Sequence, residues 1–468
     1  APTGYKKLNS ANLPDPTILL PNKHFDTLLY TGNGGSSQAI TGLDFSPDWA
    51  WIKSRSDAES HTTYDAVRGS TSRLSPNNNG VEYTSSTQGL QSFDNNGFTV
   101  GQTDQNNKSS QTYVAWNWNA GDTDGKTYTV KVVDDSGNKY RFDDFGTSAV
   151  TLDLAEGGTY IFDQSDSSNA GHPLRFSTTA DGTHGGGTEY TTGVTTSGTP
   201  GSSGAFTQIV VAASAPNLAY YCTQHSGMGG SVNTNSTLGS SNFDGSIQST
   251  AKVNATAGFS IVTYTGTGSN GTVGHGLGVK PDSYWVKRRT GGLGDWMVFH
   301  KDLGSTKNQR LNEGLSTFTQ ATIWNNTDPT SSVVNIGTSS AVNGNGSTYV
   351  FYAFSEVAGY SKFGSYTGNG SSDGPFVFTG FRPAFVLFKY SSGSAQWNVR
   401  DIARDTDNPT EKYLVPSTNG AEGTSSHKID FLSNGFKHRG TGAAFNSNGG
   451  TYIYLAFAES PFKNARAR

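Results

Sequence analysis

The chain has 468 residues, a net charge of −4 and only 15% charged side chains, so its electrostatics give no reason to expect a nucleic-acid partner. No apolar run approaches the roughly 20 residues that span a bilayer, which argues against membrane insertion, and a single cysteine excludes an internal disulfide framework. Fifty-nine glycines with abundant Ser, Thr and Asn, and no amphipathic helix of useful length, describe short strands joined by polar turns, with cores drawn from 26 Phe, 21 Tyr and 8 Trp.

In chain order, residues 1–23 contain Pro14, Pro16 and Pro21, which favour an extended course. The stretch is read as a frayed terminus or as an N-terminal arm laid on other subunits, with Ile18, Leu19 and Leu20 as its apolar cargo. It carries no basic start or apolar signal core, and Ala1 is expected to follow removal of an initiator methionine. A module then occupies 24–121, and two relatives of it occupy 258–358 and 359–468. Each opens on YTG (Tyr30, Tyr264, Tyr366), carries a Gly…Pro…aromatic strand closed by Lys53, Lys287 or Lys389, and ends on TYVAWNW, TYVFYAF or TYIYLAF. Copies this long can each bury a core of their own. SFDNNGF and DFLSNGF predict tight Asn-Gly hairpins in modules one and three, whereas NNTDPTS gives the second a weaker signal.

Within module one, Trp49 and Trp51, and likewise Trp116 and Trp118, point to one face of a strand. Core packing explains both pairs, and a sugar-stacking platform is the alternative. Asp65 and Arg68 recur as Asp401 and Arg404, while module two has His300 and Leu303. The pattern predicts a structural ion pair in two modules rather than a shared catalytic dyad. The region 122–235 lacks the module phrases yet carries strand-like runs, 236–257 reads as a polar linker, and the closing KNARAR reads as a solvated end.

One constellation carries chemistry. YYCTQHSGMGG places Cys222, His225 and Met228 on one short loop after a strand, and NAGHPLRFS places His172 before another. A thiolate, two imidazoles and a thioether are the ligand set of a blue-copper site. These residues resemble the cupredoxins, with a loop like the amicyanin type. The resemblance implies a Greek-key β-sandwich holding one copper through His172, Cys222, His225 and Met228. A glycine-rich insertion at 181–204 adds His184 as a competing ligand, and the alternative is a fold kept without its metal.

The modules resemble tail-fibre-like and other appendage proteins of marine tailed bacteriophages, through GLDFSPDWAWIK, YDAVRG, NNGFTVG, TYVAWNW and the arm NLPDPTILLPNKHFDTLLYTG. In such proteins NFDGSIQ would follow the first module closely, so the copper-like region reads as an insertion. The implied role is a structural or adhesive component of the virion surface, a homo-oligomer held to other virion proteins by the arm and contacting host glycan. The alternative is a copper-binding electron-transfer protein with the modules as scaffold. Serine elbows, HExxH and phosphate loops are missing from the sequence, and no enzyme is expected. The expected architecture is all-β, with three related, jelly-roll-like sandwich modules and one cupredoxin-like sandwich.

Overall fold

The computed structural model describes residues 17–121, 125–234 and 238–460. Strands dominate, and no α-helix among the described residues exceeds four residues, so the chain is all-β and multidomain. In module one the large sheet runs Phe25–Thr31, Thr112–Trp118, Trp49–Ser54, Thr62–Asp65, Gly69–Leu74, Tyr83–Thr84, faced by a three-stranded sheet. Modules two and three repeat the order of the first four strands, with Phe259–Thr265 and Ser361–Thr367 in the place of Phe25–Thr31, and their small sheets have two and four strands.

The central strands Trp49–Ser54, Thr112–Trp118 and Thr348–Phe354 are buried on both faces. Such strands need a layer on each side. On one side lies the module's own small sheet, where Ala50 and Ile52 meet Phe98 and Val100. On the other lie the two sister modules: Trp49, Trp116, Phe259, Trp285, Tyr352, Phe385 and Phe457 belong to one shared core. Each copy therefore encloses only part of its apolar surface, and three copies close a ring. The sugar-stacking alternative for Trp49, Trp51, Trp116 and Trp118 is overturned, because all four are at most 1% exposed within that shared core.

The ring is cyclic in its contacts. Arg289 of module two pairs with Glu82 of module one at 2.8 Å, and Arg55 of module one with Glu422 of module three at 2.9 Å. At the third junction the Thr317 backbone N–H donates to the Ser391 carbonyl at 3.2 Å, closing module two onto module three. The expected ion pairs, Asp65 with Arg68 and Asp401 with Arg404, are fully buried. Each carboxylate also accepts from the next module: Tyr352 donates to Asp65 at 2.6 Å and Trp116 to Asp401 at 3.1 Å. In the third copy the residue matching Trp116 and Tyr352 is Leu455, which has no donor. There His300 reaches the Tyr454 carbonyl at 3.3 Å instead.

The repeated YTG has a steric cause. A Cβ on Gly32, Gly266 or Gly368 would lie 2.4, 2.5 or 2.2 Å from the carbonyl oxygen of Lys108, Gly344 or Ser447, so only glycine lets the chain pass. The hairpin glycines behave likewise. The predicted Asn-Gly turns sit one residue earlier, at 95–96 and 433–434, and Gly97 and Gly435 begin the returning strands. There they crowd the Ile40 and Val377 carbonyls, where a Cβ would come within 1.9 and 2.1 Å.

Two boundaries differ from expectation. Of the expected linker 236–257, the described residues 238–257 are part of the fold: Ser240–Asn242 and Ser249–Asn254 extend module two's sheet to seven strands, and Phe243 and Ile247 are buried. Small and polar residues, without an aromatic in either strand, give these segments the composition of a linker. Of the arm, residues 1–16 lie outside the described residues. Ile18 enters the chain's own shared core, whereas Leu19 and Leu20 are exposed.

Between modules one and two, Gly125–Asn233 forms a separate sandwich of two five-stranded sheets. Its core includes Tyr128, Phe142, Phe162, Phe176, Tyr220 and Cys222.

Candidate metal centre

Cys222 ends the strand Leu218–Cys222, and its register partner is Leu174, first residue of Leu174–Ser177. Two residues before Leu174, His172 is therefore set beside the chain that leaves Cys222, and His225 returns from that chain. The three come together: the Cys222 Sγ lies 3.8 Å from Nδ1 of His172 and 3.8 Å from Nδ1 of His225. All three ligand atoms fall within 4.8 Å of one another. Cys222 is buried, His172 half-buried and His225 exposed.

These distances test the fit to a metal. With bonds of about 2.3 Å to sulfur and about 2.0–2.1 Å to nitrogen, a trigonal site separates S from each N by about 3.8 Å, and a tetrahedral site by about 3.6 Å. Both S–N separations are compatible with one ion held by the three side chains, and a thiolate with two imidazoles is a donor set that suits copper or zinc. Met228, expected as the fourth ligand, is 1% exposed and packs in the same core as Cys222. His184, the expected competitor, is not one of the converging group. Its Nε2 bonds the Cys222 carbonyl at 3.0 Å.

The surroundings hold the loop in shape. Asp181 accepts from the Gly227 N–H at 2.8 Å, and Lys139 donates to the Gly227 carbonyl. The Tyr140 hydroxyl and Gln164 amide both donate to the His172 carbonyl, each at 2.9 Å. Burial, followed by the charge of His225, holds the His172 imidazole below its usual range, which favours the neutral form that binds metal. Asp181, Lys139, Tyr140 and Gln164 escaped the sequence reading because each reaches the site across a long loop or from another strand.

Fold and site together define an all-β chain of three fused sandwich modules carrying one inserted sandwich with a His2Cys cluster. Residues 20–152 and 231–461 match a family described as a domain of unknown function, DUF7483, and the chain belongs to that family. No curated protein and no solved structure matches it. The cluster residues all fall in the unmatched stretch between the two matched spans.

Proposed function

We propose that the protein is a structural scaffold displaying a mononuclear copper site formed by His172, Cys222, His225 and Met228. The observation that carries this reading is the pair of 3.8 Å contacts from one buried thiol to two imidazole Nδ1 atoms. Copper bound there would supply one-electron chemistry, with thiolate-to-copper charge transfer as its signature. The polypeptide supplies a neutral His172, a dry Cys222 and a loop braced by Asp181 and Lys139. Anaerobic addition of Cu(II) to the full chain is expected to give an intense visible absorption. Cys222→Ser should abolish it, while Met228→Leu should keep it and change the potential. Zinc retained in preference to copper would instead mean a structural site without redox chemistry.

The scaffold itself we read as a structural or adhesive component of a tailed-bacteriophage virion surface. What supports this reading is the resemblance of the module phrases to phage appendage proteins, the ring of three modules, and an aromatic complement committed to the ring's core. On this reading the arm docks the chain to other virion proteins, and loop tips rich in Ser and Asn meet host-surface glycan. Immunogold labelling of purified particles tests the location. Label confined to host debris would refute it.

A further inference from the structure

The glycine-rich insertion that begins at Asp181 opens with a turn that is seated on the metal loop. Residues 179–187 bond to one another: the Gly182 N–H donates to the Thr179 carbonyl at 3.0 Å, His184 to Asp181 at 3.1 Å and Gly187 to Gly182 at 2.9 Å. The seat of this turn is Tyr221. Side chains alternate along Leu218–Cys222, so Tyr221 points away from the core that holds Tyr220 and Cys222. Gly182 lies against the Tyr221 ring, where a Cβ would come within 2.5 Å of ring carbons, and its φ of 55° also favours glycine. The turn therefore rests on the outer face of the strand that delivers Cys222.

From that seat the turn reaches both ends of the ligand loop. His184 donates from Nε2 to the Cys222 carbonyl at 3.0 Å, which fixes the Nε2–H tautomer. Asp181 accepts from the Gly227 N–H at 2.8 Å, one residue before Met228. On the far side of that residue, the Met228 carbonyl accepts from the Tyr140 N–H at 3.0 Å. Met228 is thus entered and left through held peptide groups, and Cys222 is held by its own carbonyl. Neither bond from the turn uses a metal-ligating atom. What the turn controls is the span between Cys222 and Met228, which carries His225 between its ends.

We infer that the turn 181–186 is a positioning device for the metal ligands: through His184 and Asp181 it fixes where Cys222 and Met228 stand relative to one another, and so sets the affinity and potential of bound copper. The inference rests on the copper reading above. A loop tied at neither end would rearrange around whichever ion entered it. A loop tied at both ends before the ion arrives keeps one arrangement of donors, and the placing of a thioether beside a thiolate and two imidazoles is what tunes a copper potential. His184 and Asp181 are positioning residues in this sense, acting through the backbone of the loop.

The test compares His184→Ala and Asp181→Ala with a conservative pair that keeps the bonds: His184→Gln, whose amide is an N–H donor, and Asp181→Asn, which keeps Oδ1 as acceptor. In the metal-free full chain, amide hydrogen exchange across residues 222–228 is expected to be faster in both alanine variants and parent-like in the conservative pair. With Cu(II) added, the alanine variants should bind about 10–100-fold more weakly and show a shifted Cu(II)/Cu(I) potential, and the conservative pair should restore both. Unchanged exchange together with an unchanged potential in both alanine variants would overturn the positioning role while leaving the copper site standing. Equal losses in His184→Ala and His184→Gln would also overturn it, because ring packing rather than the hydrogen bond would then be responsible. A parent chain that takes up no copper would remove the copper reading, and this inference with it, whatever the exchange rates.

Discussion

At the scale of single residues, the junction carboxylates show how much of this fold depends on a few buried charges. Asp401 sits between the Arg404 guanidinium and the Trp116 indole, with no exposure of the ion pair's side chains. Removing one member of such a pair leaves the other charge stranded, at a cost of about 3–5 kcal/mol. Asp401→Ala should therefore lower the unfolding free energy by about that amount in urea titration. A change near zero would mean that water enters and solvates Arg404. His438 is the opposite case: burial, then the charges of Arg400 and His427, push its imidazole down to about 3, and its Nε2 has no hydrogen-bond partner. It is packed among Tyr366, Phe388 and Phe436. His438→Phe should be tolerated at neutral pH, with a melting midpoint equal to or above that of the parent.

At the scale of elements, the repeated phrases mark places where backbones nearly touch. Gly368→Ala would set a Cβ 2.2 Å from the Ser447 carbonyl, and the strain should cost about 1–3 kcal/mol, read as a lower urea midpoint. A neutral result would show that the turn can shift. These glycines, and the strands they punctuate, were legible because they recur. The His172–Cys222–His225 cluster was legible because its thiol is the single cysteine of the chain, with a histidine three residues on. The shared core was not legible, since a Trp pair on a strand reads the same whether a sister module or a sugar covers it. The exchange of Asp65 for His300 was visible, but its reason was not. It depends on Leu455, which lacks the donor that Trp116 and Tyr352 provide. Ser249–Asn254 was hidden because a strand of small and polar residues has the composition of a linker.

At the scale of the whole molecule, buried histidines tie stability to pH. Burial lowers His300 to about 4 and His438 to about 3, and it lowers His61 and His275 as well. Between those values and the unfolded imidazole value of about 6.5, the unfolded chain binds protons that the folded chain refuses. The contribution is therefore complete above about pH 6.5 and is lost as pH falls through that window, by up to about 1.4 kcal/mol per pH unit for each group. Urea midpoints should drop between pH 7.5 and pH 5, and His438→Phe should make the slope shallower. A flat profile would mean that these rings are protonated in the folded state. The three-module ring has a further consequence, which concerns dilution. Three identical subunits meeting at such a core would separate when scarce, because their association depends on concentration. Joined in one chain, the modules see one another at a fixed effective concentration. The melting midpoint of this chain should be the same at nanomolar and micromolar concentration. A body built this way stays whole even where a single copy stands alone.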